Sequence, residues 1–234
     1  MNLFLDTANL EEIAEALAKG CVDGVTTNPT LLAREKRDDF YAHVGKIIRL
    51  IRNAGPDLPL SVEVFTLDPD EMLRQAFEFV ERFRDYRELY VKIPVGWNEL
   101  QVIKELSRNG IRVNCTACMS ISQSVLAAKA GAAIVSLFWG RIRDGGADPF
   151  RVVEETRKLL DRGASPCRII VGSIRKKEDV EDALVAGGHI VTVPFRFLKE
   201  MTLHPKTAEV VDQFLRDFSG WMQEEPAAKG TPAR

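Results

Sequence analysis

The segment LYVKIPVG, residues 89–96, sets Lys92 inside an apolar run. An ionised ammonium buried there costs several kcal/mol of desolvation, by order of magnitude. One chemistry that would justify it needs the neutral amine. An ordinary lysine titrates near pKa ~10.4, which leaves roughly 0.04% as free amine at pH 7; a pKa lowered to about 7 to 8 raises that share to roughly 10–50%. A neutral amine adds to a ketone to give a Schiff base, and the iminium nitrogen then draws in the electrons of a breaking carbon–carbon bond. That step also needs a base for the proton of the neighbouring hydroxyl. Two carboxylates end other apolar runs, Asp6 in LFLD and Glu63 in LSVEV. One suits the hydroxyl proton, and the other suits the water lost and regained around imine formation. The plainer alternative is a salt bridge of Lys92 with Asp6 or Glu63, or a lysine whose charge reaches solvent at a strand end.

The elements that must position these groups recur evenly. Strand-like runs lie at 3–6, 24–27, 60–64, 88–93, 111–115, 133–138, 168–172 and 189–194. Helical periodicities such as LEEIAEALAKG, PDEMLRQAFEFVERF, NELQVIKELSRNG and DPFRVVEETRKLLDRG separate them, with acidic starts and glycine stops. Single helices between strands imply right-handed parallel crossovers, and eight units are the number that closes an α/β (β/α)8 TIM barrel. An open doubly wound sheet is the alternative, although no G-x-G-x-x-G follows the first run. The expected organisation is one barrel domain at 1–222 with an additional C-terminal helix, FLKEMTLHPKTAEVVDQFLRDFSGWM, and a disordered tail at 223–234.

In such a barrel, catalytic groups sit at the carboxyl ends of the strands. Those ends carry Asp6; Thr26, Thr27 and Asn28; Glu63; Lys92; Asn114 and Thr116; Ser136 with Arg141; Ser173 with Arg175; and Thr192. Acids, a lysine, amides and arginines together read as a site.

Bulk properties exclude other classes. Lys+Arg 32 against Asp+Glu 34 gives a net charge of −2, which offers no broad attraction for nucleic acid or an anionic membrane. No run of about 18 apolar residues and no secretory pattern appears, so the cytoplasm is the expected location. Cys115 and Cys118 form one C-x-x-C, yet no second ligand pair exists and the three histidines are remote. Two thiols near a barrel mouth is the reading, with no metal site.

The ordered segments LFLDTAN, DGVTTNPTLL, SVEV, YVKIP, VNCTA, VSLFWGRI, GSIR and TVPF resemble the transaldolase family, in its small-subunit branch that also holds the fructose-6-phosphate aldolases; the likeness runs from residue 2 to about 222. The resemblance implies class I, metal-free transfer of a dihydroxyacetone unit between sugar phosphates, without a cofactor. Lys92 would form the Schiff base, Asp6 would be the acid and base at the C4 hydroxyl, and Glu63 with Thr116 would position the catalytic water. Asn28, Asn114 and Ser136 would bind the dihydroxyacetone hydroxyls, Thr26 would line the pocket near Asp6, and Arg141, Ser173 and Arg175 would hold phosphate. Two guanidiniums can grip a dianion bidentately. Glu63 and Phe138 stand where the aldolase branch is similar to a glutamine and a tyrosine, which points to transfer. After KIP the family usually has a threonine, whereas VGW follows here; Cys115, Ala117, Cys118, Met119 and the large Trp139 replace more usual residues around the pocket, which allows a substrate other than the standard pair. The branch also implies a homo-oligomer, a pentamer or decamer. Two further readings stay open: an aldolase releasing free dihydroxyacetone, and a sugar-phosphate-binding protein without turnover.

Overall fold

Strand alternation decides what the middle of this molecule holds. A computed structural model describes residues 1–36 and 39–223. The eight apolar runs form parallel strands: β1 (Asn2–Asp6), β2 (Gly24–Thr26), β3 (Leu60–Glu63), β4 (Leu89–Pro94), β5 (Val113–Cys118), β6 (Ile134–Phe138), β7 (Arg168–Gly172) and β8 (Ile190–Val193). They pair in chain order, and β8 closes onto β1. The closed (β/α)8 barrel stands as expected, and the open sheet falls away.

The helices are α1 (Leu10–Lys19), α2 (Pro29–Leu32), α3 (Phe40–Ala54), α4 (Pro69–Arg82), α5 (Glu99–Arg108), α6 (Ile121–Ala130), α7 (Trp139–Asp144), α8 (Pro149–Arg162), α9 (Lys177–Val185), α10 (Phe195–Glu200) and α11 (Pro205–Gln223). Their starts are chemically specified. Asn9 accepts from the amides of Glu11 and Glu12, Asp39 caps α3, and Asp68 and Asp148 cap α4 and α8 just before Pro69 and Pro149.

Inside the barrel, Phe4, Ile134, Ile170 and Ile190 form a buried plug with Tyr90 packed against it. β2 makes room for it: a Cβ on Gly24 would come 2.7 Å from the Phe4 ring. Side chains alternate along a strand, so the next inward-facing layer lies two residues on. That step replaces Phe4, Tyr90, Ile134, Ile170 and Ile190 by Asp6, Lys92, Ser136, Gly172 and Thr192, all of which line a cavity at the carboxyl ends of the strands.

Contacts divide the chain into a compact unit at Met1–Leu198 and a second that begins at Lys199. The second holds α11, on which Val210, Val211, Phe214, Phe218 and Trp221 recur at helical spacing, with the Phe218 and Trp221 rings stacked at 5.7 Å. No helix among the described residues is long and apolar enough to cross a membrane. Residues 224–234, nearly all of the expected tail, lie outside the described residues.

Candidate active site

Strand register builds the centre of the site. β3 sets Glu63 opposite Lys92, and β5 sets Asn114 on the other side of Lys92. Partners in register on parallel strands share a face, so the three side chains stand in one row. Lys92 is 5% exposed; its Nζ lies 2.7 Å from Glu63 Oε2 and donates to the Thr27 carbonyl at 2.9 Å. The lysine does not reach solvent, and its ion-pair partner is Glu63.

Asp6 approaches from another wall. β1 and β2 align Asp6 with Thr26, whose hydroxyl donates to Asp6 Oδ1 at 2.9 Å and also meets the Thr192 hydroxyl. Burial raises the Asp6 pKa above the ordinary 3.8, and the Glu63 charge adds to the rise. The Lys92 charge, the Thr26 hydroxyl and Arg34 pull the other way without cancelling it. A carboxyl held this way is suited to take up and return a proton.

Amide and hydroxyl groups complete the floor. Ser136 donates to Asn114 Oδ1 at 2.7 Å, and Asn114 donates to Ser61 Oγ at 3.2 Å, which fixes the amide orientation. Asn28 lines the cavity while its Oδ1 accepts the Leu31 amide as the cap of α2. Thr116 is buried, and its Oγ1 has no hydrogen-bond partner among the described residues.

β5 runs on to Cys118 with a shift of register between Cys115 and Cys118, where the sequence suggested an end at Cys115. The irregularity puts Ala117 at φ 60, in the left-handed region, and Ala117 lines the cavity. Ser173, at φ 58, does the same after β7. Non-glycine residues in that region store strain of order 1 kcal/mol or more, and such strain clusters at sites. Of the unusual residues expected around the pocket, Ala117 is the one that lines it. Cys115, Cys118 and Trp139 are buried elsewhere, so the bulk of Trp139 packs into the core and does not narrow the cavity. The two thiols sit 3.9 Å apart, and the hydrogen bond to Cys118 together with burial pushes the Cys115 pKa far up. That makes for inert core thiols. No cluster of three or more His, Cys, Asp or Glu side chains among the described residues could hold a metal ion.

Arg141, at the start of α7, and Ser173 line the far side of the cavity, together with Phe138. Arg175 is not among the lining residues. Its guanidinium forms a two-pronged pair with Asp144, with Nη1 to Oδ1 at 2.7 Å. The loop carrying Ser173 and Arg175 is anchored from below by Asp179, fully buried, which accepts from the Arg175 amide at 3.0 Å and from Arg143 at 2.8 Å. Gly140 lets this loop close over α7, since a Cβ there would lie 2.6 Å from Arg175 Nε and 2.7 Å from the Ser173 carbonyl oxygen.

The cavity measures about 870 Å³. It gathers Lys92, Asp6, Glu63, Thr26, Asn28, Asn114, Ser136, Phe138, Arg141 and Ser173, while Thr116 and Arg175 are not among its lining residues. Arg34 and Arg196 also line it. Sequence reasoning passed over both, and the available signal was an arginine three residues past the last strand in TVPFR.

A family model for transaldolase/fructose-6-phosphate aldolase matches residues 3–229. The chain belongs to this family. Among family relatives, a protein of Alkaliphilus metalliredigens described as a probable transaldolase is 39% identical over 220 residues, covering 94% of this chain and 99% of that one. One of Carboxydothermus hydrogenoformans with the same description is 41% identical over 218 residues, covering 93% and 98%. Thiamine phosphate pyrophosphorylase from Pyrococcus furiosus shares the fold alone, with a TM-score of 0.58 at 14% identity over 82% of this chain and 85% of that one.

Proposed function

We propose that this member of the family is a class I transaldolase, which moves a dihydroxyacetone unit between sugar phosphates such as fructose 6-phosphate and erythrose 4-phosphate on one side and sedoheptulose 7-phosphate and glyceraldehyde 3-phosphate on the other. The observation that carries the reading is the buried Lys92 amine, 2.7 Å from Glu63 at the bottom of a cavity that Asp6 also lines.

The steps follow from the groups present. Addition to the ketone requires the neutral amine, and Glu63 is positioned to take the proton of Nζ. Water leaves as the imine forms; Glu63 and the Thr116 hydroxyl, which has no hydrogen-bond partner among the described residues, are the groups that would hold it. Asp6 removes the C4 hydroxyl proton, the C3–C4 bond breaks, its electrons pass into the iminium, and the aldehyde leaves. The resulting enamine attacks the acceptor aldehyde, Asp6 returns its proton, and water releases the product. Asn114, Ser136 and Asn28 offer the amides and hydroxyl for the dihydroxyacetone hydroxyls, and Thr26 holds Asp6. Arg141, Ser173 and Arg175 remain the proposed phosphate end. The same reading keeps the cytoplasmic location expected from the sequence and a homo-oligomer, with α11 as its packing helix.

Borohydride reduction in the presence of fructose 6-phosphate should leave a dihydroxyacetone-sized mass on Lys92, and glyceraldehyde 3-phosphate should be required for rapid turnover. An enzyme that gives no adduct is not a Schiff-base transaldolase. Free dihydroxyacetone released at full rate without acceptor would make it an aldolase.

A further inference from the structure

On the side of β1 and β2 the cavity extends past Asp6, Thr26 and Asn28 to a rim lined by Thr7, Asn9, Glu12, Arg34 and Glu35, none of which the proposed steps use. Two loops form this rim, and both are fixed. In the β1–α1 loop the Thr7 hydroxyl donates to Glu12 Oε2 at 2.6 Å and accepts the Asn9 amide at 3.1 Å. His43, buried on α3, supports the same loop from outside, with Nε2 2.8 Å from the Ala8 carbonyl oxygen.

The second loop winds from Asn28 through α2, and the amides of Ala33, Arg34 and Glu35 donate to the carbonyls of Pro29, Leu31 and Leu32. Asn9 ties the two loops together, its Nδ2 donating to the Glu35 carboxylate at 3.3 Å. The backbone of Arg34 is thus set beside a cross-loop bond.

Its side chain takes no part in this scaffold. Arg34 is exposed, and among the described residues its guanidinium makes no hydrogen bond and no ion pair. The two acids of the rim are each held elsewhere, Glu12 by Thr7 and Glu35 by Asn9. The guanidinium does reach the reacting end of the site, since its charge opposes the rise that burial causes in the Asp6 pKa. It offers only donors, so an oxygen with free lone pairs is what completes it.

The position of that oxygen follows from the barrel. In the closed ring β2 stands opposite β6, so Arg34 and Arg141 enter the cavity from opposite sides of its mouth. The proposed ketose lays its C4 hydroxyl at Asp6 and its phosphate across the mouth. The carbon between carries a neutral hydroxyl next to the one that Asp6 handles, on the rim that holds Arg34.

We infer that Arg34 binds the hydroxyl on the carbon next to the acceptor's aldehyde, which becomes the C5 hydroxyl of the ketose, and so selects 2-hydroxyaldehydes. It donates to the acceptor and moves no proton. This rests on the transaldolase reading, which fixes where the C4 hydroxyl lies.

The test compares two unphosphorylated acceptors, glyceraldehyde and 3-hydroxypropanal, which lacks the hydroxyl next to the aldehyde. Fructose 6-phosphate is the donor, and borohydride trapping of the parent runs alongside. Donor and acceptor react in separate halves, so kcat/KM for the acceptor reports the acceptor alone. The parent should prefer glyceraldehyde about tenfold, the size of one charge-assisted hydrogen bond at a rim where water can replace the lost partner. Arg34→Gln should bring that ratio close to one, and Arg34→Lys should recover part of it. A ratio between two acceptors on one protein is not moved by a general loss of fold. A parent with no preference overturns the assignment, as does an Arg34→Gln variant that keeps the parent's ratio. A loss seen with glyceraldehyde 3-phosphate and not with glyceraldehyde also overturns it, since Arg34 would then serve the phosphate. Each of those results with a Lys92 adduct present leaves the transaldolase reading intact, whereas a parent that gives no adduct overturns both.

Discussion

Glu63 and Lys92 are register partners across β3 and β4, and their side chains meet at 2.7 Å with the lysine almost wholly buried. Removing the lysine therefore does two things. Lys92→Met should lower transfer by roughly ten-thousandfold or more, as loss of a nucleophile does. It should also cost about 1–3 kcal/mol of stability, because Glu63 keeps a charge with no partner in a half-buried place. The double variant Lys92→Met/Glu63→Gln should regain most of that stability and none of the activity. Urea unfolding of the three proteins checks this; a single variant as stable as the parent would mean that the pair contributes nothing net.

The sequence carried the barrel because the fold signal is repeated: eight apolar runs, each bounded by polar turns, leave few topologies. It carried Lys92, Asp6 and Glu63 because charge at the end of an apolar run is unusual. Register was not legible, since nothing local says that Glu63 rather than Asp6 faces Lys92. Neither was the extension of β5 past Cys115, because a shift of register follows from packing against β6 rather than from residue type. Arg175 shows the same limit. That its guanidinium pairs with Asp144, at the end of α7, is a contact no local signal announces. Arg196 escaped for the converse reason, as a surface-type residue in an amphipathic helix whose position at the mouth depends on barrel closure.

Asp6→Asn should slow carbon–carbon cleavage while imine still accumulates under borohydride. Its effect on stability has a definite sign. Burial raises the folded-state pKa above 3.8, so the folded form keeps a proton that the unfolded chain has lost. The stability linked to Asp6 is thus fully present below that ordinary value and is lost as pH rises through the raised folded one. Asn cannot ionise, so the variant should melt higher than the parent at neutral pH, with the gap closing as pH falls towards 3.8. Melting curves across that range test it, and a variant less stable at pH 7 would contradict the direction.

Gly24→Ala should be costly despite its small size, since the added methyl would lie 2.7 Å from the Phe4 ring that plugs the barrel. Overpacking of this kind costs about 1–3 kcal/mol. Phe4→Leu in the same chain should recover part of the loss; independent, additive effects would show that the two positions do not compete for one space.

The apolar row on α11 predicts assembly. Phe214 and Phe218 share a helical face with Val210, Val211 and Trp221, and burying aromatic surface contributes about 25 cal/mol per Å². Phe214→Glu with Phe218→Glu should reduce the molar mass seen by light scattering, with the barrel's circular dichroism retained. A parent that is already monomeric rules the proposal out.

Thr116 separates a water-holding role from a structural one. Its hydroxyl is buried with no hydrogen-bond partner among the described residues, so as a purely structural group it is a burden, and Thr116→Val, which keeps the shape, should stabilise the fold by about 1 kcal/mol. If the hydroxyl holds the water exchanged during imine formation, the same change should slow adduct formation and release by about a hundredfold, with less effect on carbon–carbon cleavage in the preformed imine. Thr116→Ser, which retains the hydroxyl, should recover most of the rate. Single-turnover trapping at several mixing times separates the steps: a Val variant that forms the adduct as fast as the parent would remove Thr116 from the water's path and leave Glu63 as the group that handles it.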